Sequence, residues 1–104
     1  MKDEVLPEAE VLRRLARLPG WTLAEGGKAL RRELSMDGFA SAAELLSRVA
    51  KEADAMDHHP DVHLTGYRRL AFELSTHSAG GVTEKDFALA RKIEALPKAL
   101  RSPA

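Results

Sequence analysis

No cysteine occurs among the 104 residues of the chain. Disulfides, thiolate zinc sites and cysteine nucleophiles are therefore excluded. Neither sign of charge is in excess, since 16 Lys and Arg balance 16 Asp and Glu. A general nucleic-acid binder or a polybasic membrane-surface protein needs a basic surplus to meet phosphates, so neither partner is expected. No apolar run approaches the roughly 20 residues of a spanning helix. Met1-Lys2-Asp3-Glu4 offers no apolar signal core, so the expectation is a cytoplasmic protein. Internal repeats, linkers and low-complexity tracts are missing too. Residues 1–104 read as a single domain with one core, two layers thick.

What is present is a regular succession of short elements. Pro7 fits the first turn of a helix, where a missing N–H costs nothing, and Val11, Leu12, Leu15 and Leu18 recur at helical spacing. Pro19-Gly20 stops that helix. Trp21 to Ala24 is a short strand, and Glu25-Gly26-Gly27-Lys28 a hairpin turn. Leu30, Arg32, Leu34 and Met36 alternate with Arg31, Glu33 and Ser35, which predicts a second strand. Asp37 is a candidate cap for a second helix with the apolar stripe Phe39, Ala42, Ala43, Leu46, Val49, Ala50 and Ala53. That helix must end before Pro60. Val62 to Thr65 and Arg68 to Ser75 read as two more strands around a bend at Gly66. After the Ala79-Gly80-Gly81 turn, Thr83-Glu84-Lys85-Asp86 resembles a capping box. It opens a helix carrying Phe87, Ala90, Ile93 and Leu96. Pro97 ends it, with a loose tail expected beyond. The order α-β-β-α-β-β-α, with hairpins, predicts an α+β fold: an antiparallel sheet covered by helices on one face. The uncovered face or an edge then invites self-association.

All four histidines fall in one short stretch: His58, His59, His63 and His77. Asp57-His58-His59-Pro60-Asp61 lies between a helix and a strand, and Ser75-Thr76-His77-Ser78 at the end of the long strand. Such element ends commonly project functional groups from a rigid scaffold. Histidine titrates near operating pH, so two or three around one site supply both an acid and a base. Asp54, Asp57 and Asp86 are placed to fix tautomers or raise a histidine's basicity. Three plainer readings stand beside this one. The histidines are solvated turn residues; or three of them bind zinc with an open position, although no HxH or HExxH pair links them; or Asp86 is there only for the helix N-terminus. Trp21 is either a core anchor or a stacking wall for a flat heterocycle. His63 alternates with Val62 and Leu64 and reads as an exposed bystander.

The spacing of these residues resembles a known family. Asp54-x3-His58-His59-Pro60 is followed by Tyr67 after six residues, His77 after nine more and Asp86 after eight more. His58-His59-Pro60-Asp61-Val62 and the run from Ser75 through Phe87 are similar to bacterial pterin-4a-carbinolamine dehydratases. The likeness extends over most of the chain, including Trp21 and the helix that leads into Asp54. It implies a four-stranded antiparallel sheet with three helices on one face. It also implies a homo-oligomer, a dimer or a tetramer, with the Phe39–Ala53 helix in the contact of tetrameric members. The implied reaction removes water from a 4a-hydroxytetrahydropterin, the carbinolamine left by pterin-dependent aromatic amino acid hydroxylases, and yields quinonoid dihydropterin for reuse. No cofactor and no metal are implied. By resemblance, His58 and His77 are the acid/base pair and His59 assists or binds. Asp54 and Asp86 orient histidines. Asp57, Pro60, Ser75, Thr76, Ser78 and Trp21 contact the pterin, with His58, His59 and His77 also in that surface. The chain departs from the common pattern at Gly66, inserted near the bend, and at Arg68, where an Asn is usual. The competing readings are a non-catalytic oligomeric binding or regulatory module on the same fold, and a metal-dependent hydrolase.

Overall fold

The computed structural model describes residues 3–101. Helix α1 (Glu8–Leu15) leads into strands β1 (Trp21–Ala24) and β2 (Ala29–Ser35), joined by a single 3-10 turn at Glu25–Gly27. Helix α2 (Phe39–Met56), strands β3 (Asp61–Thr65) and β4 (Arg69–Leu74) and helix α3 (Glu84–Ala95) follow, in the order the sequence predicts. The four strands form one sheet in the order β1-β2-β4-β3, and every neighbouring pair is antiparallel.

The register explains why the helices gather on one face. Leu30 sits beside Leu74, Arg32 beside Phe72, and Leu34 beside Leu70, so the period of two turns Leu30 and Leu34 of β2 and Leu70, Phe72 and Leu74 of β4 toward the same side, with Arg32 as the one charged member of the row. Val11 of α1, Val49 of α2, and Phe87 and Ile93 of α3 join those rows in one buried cluster. Each such side chain contributes about 1.5–3 kcal/mol by leaving water. The opposite face carries Arg31, Glu33, Glu73 and Asp61. Arg31 pairs there with Glu73 and, at 3.0 Å, with Glu33.

Three local expectations change. In α2 the core-facing residues are Ala42, Leu45, Val49 and Ala53, whereas Phe39 is 59% exposed and Ala43 and Ala50 are also exposed. The sequence stripe had joined two adjacent apolar faces of one helix and had missed Leu45, which the sheet selects. The N-cap of α2 is Gly38 rather than Asp37. The Ser41 hydroxyl accepts the Gly38 N–H at 3.1 Å and donates to the Asp37 carboxylate. The residues after Pro97 are docked rather than loose as far as Arg101. Asp37 N–H donates to Ala99 O at 2.8 Å, Arg101 N–H donates to Ser35 O at 2.9 Å, and Leu100 bridges to Met36. Lys98 turns back to donate to the carbonyls of Ile93, Glu94 and Leu96 at the end of α3, where intrahelical donors run out.

Candidate active site

The end of α2 fixes His58. Asp57 adopts the left-handed conformation, with φ at 51°, and its N–H reaches Asp54 O at 3.2 Å. The next N–H, that of His58, bonds to Ala53 O at 3.1 Å. This 6→1 and 5→2 pair is a Schellman ending with aspartate where glycine is usual. The chain therefore leaves the helix in a set direction, and the imidazole of His58 is turned inward, 11% exposed.

Asp86 meets it from the opposite side. Asp86 is the third residue of α3, and its Oδ2 accepts the Thr83 N–H at 2.9 Å, as the capping box requires. The same oxygen accepts the Thr76 hydroxyl at 2.8 Å, and Oδ1 lies 2.7 Å from His58 Nε2. Thr76 is held just past β4 by a bridge to Gly81. Its Oγ1 also lies 2.7 Å from Thr83 Oγ1. Among the described residues, the buried polar side chains are Thr76, Thr83 and Asp86, and all three belong to this one chain of hydrogen bonds. None of their buried polar atoms lacks a partner. A carboxylate with no solvent exposure is tolerated because donors meet both of its oxygens and the α3 N-terminus favours negative charge. One carboxylate thus both caps α3, through Oδ2, and meets the His58 imidazole, through Oδ1.

Other sequence candidates are placed around this pair. His59 Nε2 lies 2.9 Å from Asp54 Oδ1, one turn back on α2, and both side chains are exposed. His77 follows Thr76 directly and is exposed, as are Ser78 and Asp57, while Pro60 is half-buried. Asp86, bonded to both His58 and Thr76, thus brings the two histidine segments together. The Ser75 hydroxyl donates to Lys28 O at 2.7 Å and so ties β4 to the loop before β2. His63 stands on the open sheet face, in a concavity of about 330 Å³ with Arg31, Glu33 and Arg69. Trp21 is not brought to the cluster. It is 5% exposed, and its indole N–H donates to Glu94 Oε1 at 2.7 Å. Glu94 is eight residues along α3 from Asp86, about 12 Å of helix. The core-anchor reading of Trp21 describes its place, because its one polar atom is already taken. Thr83 is the member of the network that sequence reasoning did not assign to the site. Its only signal is the capping box, which accounts for its backbone bond to Asp86 and for its hydroxyl accepting at the start of α3, but not for the contact of that hydroxyl with Thr76.

Chemically, the cluster offers one inward imidazole at His58, an exposed one next to it in the chain at His59, and a third, exposed, at His77 beside Thr76. An imidazole bonded to a buried carboxylate keeps one ring nitrogen occupied and the other free, the usual arrangement for moving a proton at a fixed place. Among the described residues, no three His, Asp or Glu side chains come together in a way that would hold a metal ion.

Sequence comparison settles the lineage. The profile of the family described as pterin 4 alpha carbinolamine dehydratase matches residues 4–96. The chain belongs to that family. A dehydratase-family protein of Mycobacteroides abscessus, provisionally named a pterin-4-alpha-carbinolamine dehydratase, is 42% identical over 90 residues, covering 86% of this chain and 93% of that one. One of Sulfolobus acidocaldarius with the same provisional name is 47% identical over 88 residues, 85% of this chain and 93% of its own. Among solved structures, the transcriptional coactivator/pterin dehydratase of Brucella melitensis superposes with a TM-score of 0.83 at 36% identity. It covers 88% of this chain and 97% of that one. The pterin dehydratase fold is shared more distantly, at a TM-score of 0.60 and 18% identity over 73% of this chain, by a pterin dehydratase-like protein that is a RuBisCO assembly factor in the alpha-carboxysome. At that identity the likeness concerns the fold alone.

Proposed function

We propose that this protein dehydrates 4a-hydroxytetrahydropterins to quinonoid dihydropterins by acid/base catalysis with His58, His59 and His77. The observation that carries the reading is the His58–Asp86 contact, 2.7 Å long and backed by a buried carboxylate, within a chain of this family. The reaction needs two proton movements. The 4a-hydroxyl is protonated as the C–O bond breaks and water leaves, and a ring N–H loses its proton as the new C=N bond forms. The enzyme ends each turnover with as many protons as it began. One imidazole accepting and another donating meets that need without any cofactor. His58 and His77 are the acid/base pair and His59 assists, with Asp54 orienting His59 and Asp86 orienting His58. Asp57, Pro60, Ser75, Thr76 and Ser78 line the pterin. The substrate is neutral and flat, which suits a chain with no net charge and no need of a charged funnel. The enzyme is cytoplasmic and works as a homo-oligomer. The exposed Phe39 and the Ala43 and Ala50 flank of α2, with the uncovered sheet face, support the last point.

A stopped-flow assay on enzymatically generated carbinolamine tests the reading. Wild-type protein accelerates dehydration over the spontaneous rate, with or without a chelator, and His58→Ala/His77→Ala does not while keeping its fold. A double variant as fast as wild type sinks the assignment. Activity lost to the chelator points instead to the metal-dependent hydrolase, and pterin-independent partner binding without turnover to the non-catalytic module.

A further inference from the structure

The hydroxyls of Thr76 and Thr83 have only one consistent proton order. A carboxylate accepts and does not donate, so the Thr76 hydroxyl spends its single hydrogen on Asp86 Oδ2, 2.8 Å away. The 2.7 Å contact between Thr76 Oγ1 and Thr83 Oγ1 must then use the hydrogen of Thr83. Thr83 Oγ1 in turn accepts the Lys85 N–H at 3.2 Å. The chain therefore runs one way, from Lys85 N–H through Thr83 and Thr76 to Asp86 Oδ2. Asp86 Oδ1 remains, and only a ring N–H of His58 can satisfy it at 2.7 Å. A neutral His58 is thereby held with its proton on Nε2, and Nδ1 is the bare nitrogen.

We infer that Thr83, through Thr76 and Asp86, is a positioning residue that fixes the tautomer of His58 so that Nδ1 is its proton acceptor. The reason lies in the geometry of the carboxylate. With Oδ2 held by two donors from one side, the group cannot rotate, and Oδ1 stays in line with the imidazole. Without the Thr83 hydroxyl, nothing holds the Thr76 side chain in its rotamer, its bond to Oδ2 loosens, and the carboxylate can turn so that Oδ1 leaves the imidazole and no longer dictates which ring nitrogen carries the proton. Bonds in a one-way chain polarise one another, so the loss is felt at the far end. The hydrogen-bond order stands on the structure alone; the use of Nδ1 as the base rests on the dehydratase reading.

The test is tautomer-resolved ¹⁵N NMR of the histidine rings in the full chain, with the His58 signals assigned from a His58→Gln spectrum. The wild type is expected to show His58 with its proton on Nε2. Thr83→Val is expected to mix the tautomers and lower kcat roughly tenfold with KM nearly unchanged, the scale of one lost hydrogen bond. Thr83→Ser restores both, because it keeps the hydroxyl. Thr83 also caps α3, so Thr76→Ala serves if Thr83→Val does not fold; it cuts the same chain, leaves the cap in place and is expected to mix the tautomers too. A wild-type tautomer pattern in the folded variant, or Thr83→Ser failing to restore it, overturns the proposal. Because the NMR signal needs no turnover, a protein inactive on carbinolamine but with the expected tautomer pattern defeats the dehydratase reading and leaves the positioning role standing.

Discussion

His58 and Asp86, 28 residues apart in the chain, are joined by a 2.7 Å contact between Nε2 and Oδ1. Each comes from a helix end with its own reason to be there: the Schellman ending of α2 and the capping box of α3. Two local backbone motifs thus converge on one imidazole–carboxylate pair, and the consequences can be measured.

Asp86→Asn preserves shape but offers one acceptor oxygen and one NH₂ group. With the oxygen turned to Thr76 and Thr83, the amide presents a donor to His58 Nε2 and favours the opposite tautomer. We expect kcat to fall by roughly 10²–10⁴, as when a histidine-orienting aspartate is lost elsewhere, with a loss of about 1–3 kcal/mol in stability. Single-turnover kinetics together with urea unfolding check it. An unchanged kcat in a folded Asp86→Asn protein contradicts the role given to this carboxylate.

Asp57 separates stability from function. Its φ of 51° is a conformation that glycine adopts without penalty. Asp57→Gly is expected to leave stability unchanged or raise it by up to about 1 kcal/mol. On the proposed dehydratase reading the same substitution removes a carboxylate next in the chain to His58, so kcat/KM is expected to fall. Thermal unfolding and the dehydration assay on one preparation show whether the two move in opposite directions.

Gly20 is required by a neighbour on another strand. Its φ is 92°, and a Cβ there would lie 2.0 Å from Arg32 Nη1. Arg32 Nε donates to Glu94 Oε1 at 2.9 Å, the same oxygen that takes the Trp21 indole N–H. Gly20→Ala is therefore expected to displace Arg32 and cost about 1–3 kcal/mol, from strain together with a disturbed part-buried polar cluster. Trp21 is the only tryptophan, so its fluorescence reports the event directly. Wild-type emission and an unshifted urea midpoint would contradict this account.

Acid stability has a defined direction at the outer face of α1. Both guanidinium nitrogens of Arg14 lie 2.7 Å from Glu84, and its Nε lies 2.8 Å from Glu10. These bonds hold both carboxyl groups below their ordinary value of 4.5. A depressed folded pKa means that the unfolded chain binds protons more readily. The stabilisation is thus complete above 4.5 and is lost as pH falls through the lower folded values. Glu84 is exposed and Glu10 and Arg14 are partly open to solvent, so added salt weakens the effect. Urea midpoints followed from neutral pH to about 3 should decline less steeply in Arg14→Ala than in wild type. Parallel curves would show that the contact has no linkage to folding.

His63→Ala separates the histidines by place. His63 lies on the open sheet face, opposite the helices, and shares no hydrogen bond with the cluster. Its removal is expected to leave kcat/KM within about twofold of wild type, less than 0.5 kcal/mol of transition-state stabilisation. A larger loss in the dehydration assay would bring the sheet face into the site.

The rhythm of the fold and the chemistry on offer are written in the amino-acid sequence. Alternation in Leu30–Met36 and Arg68–Ser75, helical spacing in the segments between, and the Pro and Gly stops are local properties, and short-range sterics and burial act on them directly. The capping box at Thr83–Asp86 was legible for the same reason, and the spacing of His58, His59, His77 and Asp86 was legible as a family resemblance. What only the tertiary structure decided are relations between segments distant in the chain. The sheet chose Leu45 over Phe39 as an inward residue of α2. Glu94 claimed the indole of Trp21, and the end of β2 took up the residues after Pro97. Above all, the two oxygens of Asp86 were divided between the cap of its own helix and the imidazole of His58. A period or a spacing states which residues share a face; which partner meets that face, at 2.7 Å and out of water, is fixed only when the helices close over the sheet.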